Sequence, residues 1–193
     1  ASKEKIFDAS LWIFIASLFH FWSILFLLLV FIAIVFRVAT DYRNWALPFI
    51  AFFTVGILFL VFALSTAINL EAYFYHATAM DFKLGFFSNN AQNAAFSIYV
   101  SVALFFIVSM FITLSNRASI NQISYKIIIA SFFIGAIIFL ISANKSNDLL
   151  VMTFAPLAIM GAAHIEYVQE QLKKNIVIGV FMICSIWLFL AQL

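Results

Sequence analysis

Apolar residues in this chain run in blocks, and they neither alternate nor fall on a single helical stripe. Six blocks stand out: Ile6–Phe36, Trp45–Ala67, Ala94–Leu114, Ile127–Ala143, Leu149–Ile165 and Ile176–Leu193. A block apolar on every side suits a helix surrounded by hydrocarbon, and about 20 helical residues cross a hydrocarbon layer of about 30 Å. A membrane barrel would instead show short alternating segments. The pattern therefore predicts an all-α, polytopic transmembrane helix bundle in one domain. Asp8, Asn44, Asn93, Ser124 and Asp148 each stand just before or at the start of an apolar run, so they are the expected helix-start residues.

The first block is too long for one crossing. Its 31 residues would reach about 46 Å as a helix. It can tilt, protrude, or break near His20 into a re-entrant pair that dips in and returns. Lys and Arg placement helps to choose. If the block crosses once, the two sides of the membrane carry six and four basic residues; if it returns, they carry eight and two. The second split fits the positive-inside tendency better, so a re-entrant or broken pair is expected. Leu70–Gln92 and Asn144–Asp148 then face outward. The connections Arg37–Asn44, Ser115–Lys126 and Glu166–Asn175 face the cytoplasm. The outer loop is ring-rich, with Tyr73, Phe74, Tyr75, Phe82, Phe86 and Phe87, which predicts a short helix on the membrane surface including Tyr73–Met80.

Composition agrees with the pattern. The chain has 193 residues, 66% hydrophobic and 9% charged, against about 25% charged in soluble domains. A net charge of +2 gives no reason to expect a nucleic-acid partner. The single cysteine, Cys184, lies inside an apolar block, where a small packed hydrophobe is expected. The opening Ala-Ser-Lys-Glu-Lys has no signal-peptide form and reads as the interior of a longer chain.

Chemistry-bearing residues are few. His20 lies in SLFHFWSILF, either as a functional group in the membrane or as a neutral imidazole bonded to a neighbouring helix. His20, His76 and His164 show no ligand spacing, so no metal and no cofactor is expected. His164 and Glu166 are two apart and do not share a helix face; an interfacial role near the headgroups is expected. Pro156 removes a hydrogen bond to Met152 and predicts a kink, next to the small residues Ala158, Gly161, Ala162 and Ala163. The polar knot Asn144-Lys145-Ser146-Asn147-Asp148 reads from spacing as a capped turn. Lys145, Asn144, Asn147 and Asp148 are also the candidate ligands of a lipid phosphate at a helix start, with His20 as a further candidate.

Two resemblances add to this. KEKIFDASLWIFIASLFHFWSILF, DYRNWALPFIAFF, SYKIIIASFF, NKSNDLL and APLAIMGAAHIE together resemble an uncharacterised family of multispanning inner-membrane proteins of Bacteroidota, over essentially the whole chain. That likeness implies a bacterial inner-membrane location, further helices upstream, and a chain that is the C-terminal part. It implies no activity, so a non-catalytic or incomplete module of a membrane assembly is expected, its partners the bilayer, other membrane subunits or the missing N-terminal helices. Separately, Ala16, Leu18 and His20, with Ser142, Lys145, Leu149, Leu150, Pro156, Leu157, Ala158 and Ala162–Ala163, are similar to motifs of GT-C type lipid-linked sugar transferases and polysaccharide polymerases. That likeness implies a polyprenyl phosphate lipid beside the knot. In that family the acidic catalytic residue sits in an earlier outer loop, which would lie upstream of Ala1.

Overall fold

A computed structural model describes residues 2–37, 41–81, 90–116, 119–143 and 147–192. It contains eight α-helices: α1 Ser2–Phe19, α2 Leu27–Arg37, α3 Arg43–Ser65, α4 Leu70–Ala77, α5 Asn90–Leu114, α6 Ser119–Ile141, α7 Val151–Tyr167 and α8 Gln171–Gln192. Two 3-10 turns, Phe21–Phe26 and Asn147–Leu150, complete the helical content. No strand occurs among the described residues beyond an isolated bridge between Met80 and Ser142. All six apolar blocks are helical, and α3, α5 and α6 are long and apolar enough to cross a membrane.

Helix starts differ from the expected ones. Asp8, Asn93 and Ser124 lie inside helices that begin three to six residues earlier, and Asn44 is the second residue of α3. Polar first turns precede the apolar run, so the edge of the run does not mark the helix end. At α3 the side chain that meets the free N–H groups is Asp41, whose Oδ1 accepts from the Arg43 N–H at 3.0 Å. Asp148 belongs to the 3-10 turn, and Leu150 holds the cap position of α7.

The chain divides into two compact units. The first comprises residues 1–82 and 133–145; the second comprises 83–132 and 146–193. In the first unit the long opening block is broken at His20, as expected, and it doubles back. Lys3 at the head of α1 forms a 2.8 Å ion pair with Asp41, four residues beyond the end of α2. Phe14 meets Phe52 edge-on, so α1 and α3 run parallel from the Lys3–Asp41 end. Phe31 of α2 stacks on Trp45 near the start of α3, which fixes the returning direction of α2. Small residues in these helices are fully buried, Ser10 in α1 and Ala51 in α3, which suits close helix approach. Phe14, Ala51 and Val55 form the centre of this core.

In the second unit α5 and α7 also run parallel. Their pairing is read from three successive ties: Tyr99 with Thr153, Ser109 with His164, and Asn116 with Tyr167. Between them lies a core of Ala103, Phe106, Met110, Phe132, Leu157 and Met160. Gly161 lets the Phe106 ring approach α7, since a Cβ at that position would stand 3.2 Å from the ring. Pro156 is buried inside α7, which continues through it as one helix.

Candidate functional site

The site begins where α1 stops. His20 leaves helical geometry with φ −137° and ψ 101°. Its N–H still donates to the Ala16 carbonyl at 3.0 Å, and its own carbonyl already accepts from Ser23 at 2.9 Å in 3-10 fashion. A broken helix leaves carbonyls without helical donors. One of them, Leu18, accepts a hydrogen bond from the Tyr73 hydroxyl at 2.5 Å. Burial pushes the Tyr73 phenol up from its ordinary pKa, so it stays protonated and keeps donating.

Local sequence places Tyr73 above the break. α3 ends with Ala67 in left-handed geometry, φ 54°. The Ile68 N–H reaches back to the Ala63 carbonyl at 3.1 Å, the pattern that closes a helix C-terminus. Asn69 then caps α4, its side chain accepting from the Ala72 N–H at 3.2 Å. α4 is the short ring-rich helix expected in this loop; it ends at Ala77, so Thr78–Met80 lie beyond it. Phe82, Phe86 and Phe87 of the same expectation lie outside the described residues. The strand-like stretch after α4 serves a second helix end, because the Asp81 N–H donates to the Ile141 carbonyl, the last of α6, at 3.3 Å. Residues 70–81 thus form a strap that supplies donors to two exposed carbonyls at one end of the first unit.

Of the lipid-phosphate candidates, His20 is the one whose side chain the structure describes. Among the described residues, neither its Nε2 nor the Trp22 Nε1 has a hydrogen-bond partner, and both atoms are buried. Asn144 and Lys145 lie outside the described residues, while Asn147 and Asp148 contribute backbone to the 3-10 turn before α7. The approach to the knot, Ser142, is brought beside Met80 by the bridge. His76 is exposed in α4, against the Tyr75 ring. Cys184 belongs to α8, its side chain outside the described set.

In the second unit His164 lies near the end of α7. Its Nδ1 lies 2.5 Å from the Ser109 hydroxyl, and its ring meets Phe105 edge-on. It is a tie between two helices, while Glu166 is exposed. Tyr99, Ser109 and Thr153 were not singled out from the sequence. Serine and threonine inside apolar helices usually bond their own backbone, and Thr153 does so as well, donating to Leu150 at 2.6 Å. At the opposite end of the first unit, the Lys3 ammonium, with the Arg43 N–H, holds the Asp41 carboxyl below its usual range.

Comparison with known protein families, characterised proteins and solved structures finds no match.

Proposed function

We propose that this chain is a non-catalytic module of a bacterial inner-membrane assembly. The supporting observation is how its polar side chains are used. Tyr73 serves a backbone carbonyl, Tyr99 and Thr153 serve each other, and Ser109 serves His164. Interhelical polar bonds of this kind hold bundles together, and they occupy groups that acid–base chemistry would need free. In this reading α1 and the returning arm both cross the bilayer. α1 is about 27 Å long, and the 3-10 turn with α2 is about 28 Å, each close to the hydrocarbon thickness of about 30 Å. The pair is then a full hairpin, with His20 near the outer face and eight of ten basic residues inside. The test is purification of the tagged full-length protein from native membranes in mild detergent. A second membrane protein in fixed stoichiometry supports the module; a lone monomer of full activity in any lipid-linked assay rejects it.

A second reading, the membrane domain of a GT-C-like glycosyltransferase or polymerase, is favoured by one observation. The His20 turn, α4 and Ile141–Ala143 share one end of the first unit, so a polyprenyl phosphate bound there would meet His20 beside the residues that lead into the knot. Lys145→Ala should then lower polyprenyl phosphate occupancy in native mass spectrometry by about 10- to 150-fold, the worth of one partly desolvated charge contact. Equal occupancy in the parent, Lys145→Ala and His20→Ala removes this reading.

A further inference from the structure

The break at His20 leaves a cavity beneath the strap. Its volume is about 250 Å³, and it lies between the end of α1, the 3-10 turn, α3 and α4. Phe14, Leu18, Ile24, Phe59 and Tyr73 form its walls. Among the described residues, no charged side chain lines it. Its two hydroxyls are already committed, Ser17 to the Phe14 carbonyl at 2.7 Å and Tyr73 to Leu18. The described lining therefore offers an occupant no free side-chain donor or acceptor, and hydrocarbon suits it. An apolar cavity of about 150 Å³ already takes up benzene, so this one has room for a length of alkyl chain.

Two further observations fix what occupies it. Gly56 of α3 faces the cavity, and a Cβ added there would meet no atom within 4 Å. The rim residues Phe52, Leu60 and Phe74 are about half exposed, at 48%, 50% and 46%. Phe52 and Leu60 belong to α3, which is long and apolar enough to cross a membrane, so the mouth opens where bilayer hydrocarbon lies. Among the described residues the lining holds no lysine or arginine, so it offers no cation to a prenyl phosphate. We propose that this cavity is a binding site for one acyl chain of a bilayer phospholipid. The chain threads between α1 and α3 under α4 and fills the space that the broken helix creates. The proposal rests on the membrane-spanning character of α3 alone and holds whether the protein is a module or an enzyme domain.

Gly56→Leu should fill the cavity from the α3 side without displacing a neighbour. Gly179, in α8, is equally open, with nothing within 4 Å of an added Cβ, so Gly179→Leu is the matched control. The full-length protein would be reconstituted in vesicles of phosphatidylglycerol carrying a diazirine in the acyl chain, exchanged into detergent to strip loosely held lipid, then irradiated. Labelling is expected in the peptides spanning residues 14–24 and 52–60, to fall at least tenfold in Gly56→Leu, and to persist in Gly179→Leu. If Gly56→Leu does not fold, Leu60→Trp at the half-exposed rim should block the mouth to the same extent. Equal labelling of the parent and the blocked variant overturns the proposal. So does loss of label on adding an equimolar polyprenyl phosphate, which would assign the cavity to a prenyl chain. Protection of both peptides by a co-purifying membrane protein would assign it to a partner helix and overturn the proposal too.

Discussion

The two units solve the same problem differently. Each contains a parallel helix pair, α1 with α3 and α5 with α7, and each uses tyrosine hydroxyls at the pair. In the first unit the hydroxyl goes to a main-chain carbonyl at a helix break. In the second, side chain meets side chain across helices that stay unbroken at the contact. The first arrangement repairs the backbone; the second aligns two finished helices. The penalty for losing a partner follows. A carbonyl at a break has no helical donor to return to, whereas Thr153 keeps its bond to Leu150. Glycine shows the same contrast, since Gly161 is pressed against Phe106 while Gly56 faces open space.

The largest effect should come from Gly161→Leu. Phe106 is buried and stacked on Phe181 at 4.9 Å between ring centres, so it cannot yield, and overpacking should cost about 3 kcal/mol. Gly56→Leu should leave the unfolding midpoint near that of the parent. Comparable losses in both variants, measured by denaturant unfolding in detergent, would erase the contrast between the two glycines.

Tyr73→Phe comes next. It strands the Leu18 carbonyl in apolar surroundings, at about 1–3 kcal/mol. Tyr99→Phe should cost only about 0.6 kcal/mol, the average of interhelical polar bonds in membranes. A reversed order would mean that the break is satisfied from elsewhere.

Ala67→Gly should stabilise slightly, by up to about 1 kcal/mol, since Ala67 holds a left-handed conformation that glycine adopts without strain. No gain in midpoint would show that the α3 terminus is not limiting.

Lys3→Ala should have the smallest effect, because the pair is exposed and screened by salt. The Asp41 carboxyl, held low by Lys3, contributes stability above the ordinary carboxylate range and loses it as pH falls through its depressed value. In Lys3→Ala the Asp41 titration, followed by carboxyl NMR, should move upward. An unchanged titration would place the ammonium away from Asp41. Cysteines at Ser2 and Arg43 should label from the same side of the membrane; opposite-side labelling breaks the hairpin.

Much of the architecture was legible in the residues themselves. Block length and composition demanded membrane helices, because only helices and closed barrels satisfy their backbone in lipid and the blocks do not alternate as barrel strands do. The excess length of Ile6–Phe36 and the basic residues around it predicted the doubling back that the Lys3–Asp41 pair displays. His20 was visible as the break because an imidazole in a long apolar run is conspicuous. Helix starts were not legible, since polar first turns resemble loops. Nor was the strap. Tyr73 is one ring among six in its loop, and only the fold brings it 55 positions back along the chain to Leu18. Pairing of Tyr99 with Thr153 and of Ser109 with His164 is equally long in sequence. Local patterning sets which segments are helical and how far they reach. Which hydroxyl meets which exposed carbonyl, and whether a broken helix leaves a cavity, depends on the parallel packing of α1 on α3, and that is a property of tertiary contact alone.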